Sequence, residues 1–404
     1  VTYPSHIVDA LKKSLFYEPF TRIPAGFSET ERNAVLEAGE TAIRHGAIAG
    51  YQLFDDFMTN EYIPNARESL GVSEFPDGKA FYDYKVKYFT TLDMTAVEVH
   101  ALGLKEVARI RAEMDQIISD VKFKGSFKDF LKFLRSDPQF YAKTPMELLM
   151  RANYLAKQMD GKLPQLFTRF PNMPYTVNPV PDHLAPKYTG GRYSGTSPGS
   201  TKPGEYWVNT YDLPSRPFYT LEALTYHEAV PGHHMQIMLN QELTQLPNFR
   251  RYSYVDAFGE GWGLYAEWLG LEVGGYSDPY SNFGRLTYEM WRACRLVVDT
   301  GIHSKGWTRQ QVIDYLADNT ALSIHECTTE TDRYIAWPGQ ALAYKMGELK
   351  IKELRKLAEK ELGDKFNKRA FHDKVLENGS LPLMILDDVI RDWIKTEKLG
   401  SGRG

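Results

Sequence analysis

Three of the ten histidines of this chain fall within eight residues, in His227-Glu228-Ala229-Val230-Pro231-Gly232-His233-His234. Imidazoles grouped with a carboxylate are a zinc donor set. In an H-E-x-x-H helix two histidines one turn apart hold the ion, and the glutamate between them takes a proton from water. Here the i+4 position is Pro231, which offers no ligand atom and clashes with the carbonyl of His227 in a regular helix. On an unbroken helix His234 would share the face of His227 but lie about 10.5 Å along the axis, and His233 would be turned off that face. A metal site therefore requires a wide turn or bulge at Val-Pro-Gly that brings a later histidine back toward His227. His233, which follows a glycine, is the preferred second ligand, and His234 is the alternative.

A third protein ligand is expected, with a fourth position left for water. In the zincins called gluzincins that ligand is a glutamate on a following helix. Glu260, 27 residues after His233, has suitable spacing in Gly259-Glu260-Gly261-Trp262-Gly263-Leu264-Tyr265-Ala266-Glu267. Its flanking glycines let neighbouring backbone come close. Glu267, two helical turns on, returns to the same face and is placed to orient a ligand. Glu222 reads as a solvated residue of the motif helix, and the Trp and Tyr residues around Glu267 as core.

Hydrolysis of an amide builds negative charge on the carbonyl oxygen, which a tyrosine hydroxyl, histidine or arginine can stabilise. Glu330-Thr331-Asp332-Arg333-Tyr334 and Gln340-Ala341-Leu342-Ala343-Tyr344 supply such groups around Pro338-Gly339, where the chain must turn. Arg292, Arg295, Asp299 and His303 form a polar line in an otherwise apolar segment. Tyr334 is the expected stabilising group, helped by Arg333 or His303. His325 and His372 read as structural.

The elements that must position these groups are mainly helical. Apolar residues recur at helical spacing from Ser28 to about Asn65, with Ser28 and Glu31 as a capping box, and again over Lys105–Val121, Ser126–Leu134 and Pro145–Met159. Prolines then crowd Phe170–Pro186 and glycines follow to Gly204, which forbids continuous helix and suggests a functional loop, with Thr189–Gly204 as a lid. Glu205–Tyr211 is the best strand candidate, expected to pair with a substrate backbone. Helical patterns resume over Leu221–Gln241, Tyr252–Leu271, Phe283–Asp299, Thr308–Asn319, near Ala341, and over Gly347–Leu362 and Lys368–Lys398. The expected organisation is a helical scaffold over residues 1–165 and a catalytic region over 166–404, joined as one continuous unit.

Composition narrows the function classes. The 404 residues are 43% hydrophobic and 25% charged, which excludes disordered and fibrous chains. Forty-eight basic residues against 52 acidic ones leave no cationic field for nucleic acid, and no apolar run is long enough to cross a bilayer as a helix. Cys294 and Cys327 form neither a CxxC metal pair nor a disulfide framework.

The segments 227–234, 260–267, 297–303, 333–345 and Phe371-His372-Asp373 together resemble the bacterial domain-of-unknown-function 885 family, many of whose members are labelled lipoproteins. The resemblance covers essentially the whole chain. It implies that this chain corresponds to the C-terminal two thirds of longer members, consistent with a first residue that is not Met, and that a lipid anchor lies in the missing N-terminal part. The cell envelope or periplasm is then the expected location, with the cytoplasm as the alternative. The motifs are also similar to helical zinc peptidases of the thimet-oligopeptidase and angiotensin-converting-enzyme type, in which a channel between helical halves admits short peptides.

The combined expectation is a mainly α, multi-helical zincin-like (gluzincin) peptidase with a small β element beside the active-site helix. One Zn²⁺ would be held by His227, His233 or His234, and Glu260, with Glu228 as general base and then general acid on short peptides. The alternatives are another metal enzyme, such as a non-peptide amide hydrolase or an iron or manganese protein, and a catalytically inactive envelope binding protein.

Overall fold

Ser28 accepts a hydrogen bond from the Glu31 N–H while the Glu31 carboxylate accepts from the Ser28 N–H, and this capping box starts α1 (Glu29–Ala42). In the computed structural model, which describes residues 3–197 and 199–400, the helical path continues through a wider-turned segment (Ile43–Ile48), α2 (Ala49–Phe57) and a second such segment (Met58–Tyr62). These elements belong to the first of two compact units, which divide between Ser69 and Leu70.

The second unit carries the rest. Its first helices are α3 (Gly78–Thr90), α4 (Ala96–Asp120), α5 (Phe127–Ser136) and α6 (Pro145–Asp160). Thr95 with Glu98, and Ser126 with Asp129, form capping boxes at α4 and α5. Pro145 opens α6, where its missing N–H leaves no helical bond unmade. The proline-rich stretch gives β1 (Tyr175–Pro179), followed by β2 (Gly191–Ser194) and β3 (Gly204–Val208). The sheet order is β1-β3-β2, with β3 parallel to β1 and antiparallel to β2. Two of the expectations for this region change. The predicted strand ends at Val208 rather than Tyr211, and both of its edges are filled, so it has no free edge for a substrate. The glycine-rich segment expected as a lid contributes β2, an edge strand of the sheet, over Gly191–Ser194.

Helices return with α7 (Leu221–Glu228), α8 (His233–Glu242), α9 (Asn248–Arg251), α10 (Asp256–Glu272) and α11 (Pro279–Lys305). They are followed by α12 (Arg309–Asn319), α13 (Ile324–Ala336), α14 (Ala343–Leu362), α15 (Lys368–Leu376) and α16 (Leu383–Gly400). None of the helices among the described residues is long and apolar enough to cross a membrane.

Two helix pairs organise this unit: α11 against α4, and α10 against α14. From Phe283 to His303 every residue of α11 is buried, so the arginines and carboxylates on it need internal partners. Part of that demand is met by Lys345 of α14, which is fully buried with its Nζ 2.6 Å from Glu348, 2.8 Å from Glu289 of α11 and 3.2 Å from Glu106 of α4. The α10–α14 crossing is tight because Gly261 meets Gly347: a Cβ on Gly261 would lie 2.4 Å from the Gly347 Cα. That contact sets the depth of α10, and with it the position of Glu260.

Candidate metal centre

α7 ends at Glu228 and α8 begins at His233, so Ala229–Gly232 interrupts the helix at the place Pro231 demands. The Val230–Pro231 bond is cis. Beyond the break the His234 N–H bonds to the Ala229 carbonyl (3.1 Å), five residues back, and the Pro231 carbonyl accepts from Trp262 Nε1 of α10 (2.8 Å). The break is thus anchored to the helix that carries Glu260.

Its effect is to bring His233, not His234, to His227. The Nε2 atoms of His227 and His233 lie 3.5 Å and 3.4 Å from the same oxygen, Glu260 Oε2. One ligand atom from each residue falls within 4.8 Å of the others. His234 turns to the sheet side, where its Nδ1 meets the Tyr193 hydroxyl (3.0 Å), its ring packs 4.7 Å from that of Tyr175, and burial pushes it down to about 4. It is a neutral packing residue and has no place among the converging donors.

The spacings of the triad carry chemical information. A charge-assisted N–H···O bond closes to about 2.7–2.9 Å, so 3.4–3.5 Å is long for a direct pair. A tetrahedral ion with bonds of about 2.1 Å would hold its ligand atoms about 3.4 Å apart. The donor set therefore fits a small divalent cation better than it fits a salt bridge. Burial alone would depress His227, but the carboxylates of Glu260, Glu267 and Glu228 around it push it up to about 9. Against its own burial, Glu260 is held well below the ordinary carboxylate range by His233 and His227.

The far nitrogen of His227 is oriented as the sequence suggests. Its Nδ1 lies 2.8 Å from Glu267 Oε1, which fixes the tautomer that presents Nε2 to the centre. The ring itself lies against Gly263, where a Cβ would fall 2.7 Å from the His227 Cε1. Glu267→Gln is expected to weaken metal binding about 10- to 100-fold, measured by competition with a metal-binding dye. Unchanged affinity would assign Glu267 to packing alone. Trp262 and Tyr265 are fully buried core residues.

Glu228 lies beside the triad and accepts a 2.7 Å hydrogen bond from the Tyr193 N–H of β2. It shares with His227, His233 and Glu260 a cleft of about 610 Å³, large enough for a small ligand. Arg192 and Tyr193 of β2, Arg292 and Arg295 of α11, and Arg333 of α13 also line this cleft.

Other predicted residues sit elsewhere. Tyr334 is 1% exposed and does not line the cleft; its hydroxyl accepts from Trp291 Nε1 and Arg295 Nε, both at 2.8 Å, and donates to Glu330 (2.8 Å). His303 is fully buried between the Val72 N–H and the Tyr334 carbonyl, so it props the backbone of α13 instead of reaching a substrate. Asp299 accepts from the Tyr82 hydroxyl (2.5 Å) and the Gly339 N–H (3.1 Å), fixing the turn after α13. Glu222 is buried under the Ser277 hydroxyl (2.6 Å), because α7 is enclosed on every side rather than solvated on one; burial raises its carboxyl. His325 is exposed.

His372 is buried between the Leu166 carbonyl, which its Nδ1 faces at 2.9 Å, and the Tyr265 hydroxyl at Nε2 (3.0 Å). Burial pushes it down from 6.5 to about 3. The unfolded chain therefore takes up a proton near pH 6.5 that the folded chain refuses, and stability is lost as pH falls from there toward 3. At about 1.4 kcal/mol per pH unit, roughly 2–3 kcal/mol is expected to go by pH 4.5. His372→Gln should be less stable at neutral pH yet lose less on acidification. Equal acid sensitivity of the two proteins in urea unfolding would contradict this.

Sequence reasoning missed Tyr193, whose contribution is a backbone N–H that no side-chain pattern reveals, and Tyr254, which lines the cleft beside the triad. Tyr254 follows no motif, although Gly259 after it leaves space for its ring: a Cβ there would lie 2.3 Å from Tyr254 Cζ.

Residues 5–390 match the model of a family described as bacterial protein of unknown function, DUF885. The chain belongs to the DUF885 family. This DUF885 chain is also similar to a solved "putative lipoprotein" from Colwellia psychrerythraea at 33% identity and a TM-score of 0.92, covering 98% of this chain and 69% of the other. A second solved structure, a "putative lipoprotein of unknown function" from Shewanella oneidensis, shares the fold at 21% identity and a TM-score of 0.69, covering 93% of the DUF885 chain and 69% of its own. No curated protein matches it.

Proposed function

We propose that this protein is a zinc-dependent peptidase of gluzincin type that hydrolyses short peptides. The observation that carries the reading is the convergence of His227, His233 and Glu260, whose ligand atoms lie within 4.8 Å of one another, with the Glu228 carboxylate in the same cleft. Zinc bound there would supply Lewis-acid polarisation of a carbonyl and activation of water at neutral pH.

The chain's own residues account for the rest. Glu228, steadied through one oxygen by the Tyr193 N–H, takes a proton from the attacking water and returns it to the leaving amine. Tyr344, which lines the cleft with the Arg295 guanidinium 4.2 Å from its ring centre, takes the role expected of Tyr334 and donates to the carbonyl oxygen as negative charge develops. An extended substrate would run along β2 rather than the central β3, because β2 is an edge strand that lines the cleft through Gly191, Arg192 and Tyr193, beside Glu228. The resemblance to proteins labelled lipoproteins supports a place in the cell envelope.

The test is elemental analysis of protein purified without added metal, followed by incubation with a mixture of short peptides. About one zinc per chain, with cleavage lost to a chelator and restored by zinc, is the expected result. Stoichiometric iron or manganese would reassign the metal. A protein that binds no metal when supplemented, or that holds zinc and cleaves nothing, would defeat the reading.

A further inference from the structure

Three of the arginines lining the cleft carry N–H groups with no acceptor among the described residues. Arg292 and Arg295 project from the buried face of α11, three residues and so about 4.5 Å of helix apart, and are only 4% and 2% exposed. Arg333 reaches the same cleft from α13. Arg295 donates through Nε to Tyr334 and through one terminal nitrogen to Glu330 (2.9 Å), while its other terminal nitrogen has no partner. Arg333 donates to Gln340 (3.2 Å), but its Nε lies 3.6 Å from Glu330 and is also unpartnered. Arg292 reaches the Tyr288 carbonyl (3.3 Å) and comes within 3.5 Å of Glu267 Oε1, an oxygen that already serves His227; its Nε too has no partner.

The nearby carboxylates do not make up this deficit. Glu330 is shared by Arg295 and Arg333, Glu326 is paired with Arg216 (3.5 Å), and Asp256 accepts from Gln340 (3.2 Å). The guanidiniums are held in place by rings: Arg292 over Tyr288 (4.5 Å) and Trp291 (4.3 Å), and Arg295 over Trp291 (4.3 Å) and Tyr344 (4.2 Å). Stacked guanidiniums that each keep one N–H without an acceptor can receive a carboxylate through donors supplied by more than one arginine. Buried donors without acceptors are costly to keep unless a ligand uses them.

We propose that this wall binds the free C-terminal carboxylate of the substrate, so that the enzyme removes one or two residues from a peptide's C-terminus instead of cutting within chains. The inference rests on the peptidase reading above and adds the substrate class. Arg292 touches the carboxylate that orients His227, so the wall begins beside the metal centre. Arg295 lies one further step along α11, and an extended peptide advances about 3.3 Å per residue. A chain whose carboxylate reaches these deeply buried groups has to end there.

The test uses the full-length Glu228→Gln protein loaded with zinc, with binding measured by calorimetry so that turnover is not needed. Three peptides of one sequence are compared: the free acid, its C-terminal amide, and an amide with an aspartate at the last position. The acid is expected to bind at least tenfold more tightly than either amide. Arg295→Gln and Arg333→Gln should each shrink that ratio toward one; the latter, with a side chain 27% exposed, provides a variant whose folding is less at risk. Equal binding of acid and plain amide would overturn the proposal, and equal binding of acid and aspartyl amide would reassign the wall to acidic side chains. If the wild-type protein cleaves acids and amides alike, the wall has no such role and the peptidase reading stands. If the acid binds preferentially but nothing is cleaved in any metal form, the peptidase reading falls and the anion site remains.

Discussion

Glu228→Gln is expected to lower peptide hydrolysis about 10²- to 10⁴-fold, the range for loss of a positioned general base, while the protein still binds its metal. The glutamine keeps the size of the side chain and its oxygen can still accept the 2.7 Å bond from the Tyr193 N–H, so the local packing is preserved. What it loses is the capacity to hold a proton between water and the leaving amine. Glu228 is not among the three converging ligand residues, so metal content should be unchanged. A steady-state assay with parallel metal analysis reads both quantities. Retained activity in a metal-loaded variant would remove Glu228 from the mechanism, and loss of the metal would make it a ligand instead.

The second large effect separates two adjacent histidines. His233→Ala is expected to weaken metal binding by well over 100-fold, more than the loss of an orienting partner such as Glu267, because one of three protein donors disappears from the centre. His234→Ala should leave affinity within a few-fold of wild type and instead cost stability, about 1–3 kcal/mol, by removing a buried ring between Tyr175 and Tyr193 and the partner of the Tyr193 hydroxyl. Metal titration and urea unfolding of the two variants form a double dissociation. The reverse pattern would mean that the break after Glu228 delivers the other histidine.

Much of the helical framework was legible because its signals are local. Ser28 with Glu31, and the apolar spacing from Lys105 to Val121, act through neighbours three and four residues away, and the helices form where those signals stand. Pro231 likewise announces an interrupted helix through its own ring. Glu260 could be singled out because it follows His233 at the expected spacing between two glycines, and Glu267 because it falls two helical turns later.

What the chain pattern could not convey is which groups meet across the fold. Tyr334 and His303 carry suitable chemistry, yet their polar atoms are consumed by Glu330 one turn earlier on α13 and by Trp291, Arg295 and the backbone of Val72, which are distant in sequence. Glu222 reads as solvated only if α7 has a free side, and it has none. β3 is a good strand by composition, but composition is silent on whether a strand lies at an edge or in the middle, and here β1 and β2 flank it. Sequence alone determined the donor types, the helical supports and the need for a break between His227 and the later histidines. Only the tertiary structure decided that His233 rather than His234 closes on Glu260, because that choice depends on how the break at Ala229–Gly232 docks, through the Pro231 carbonyl and Trp262, onto a helix whose depth is set by the Gly261–Gly347 crossing.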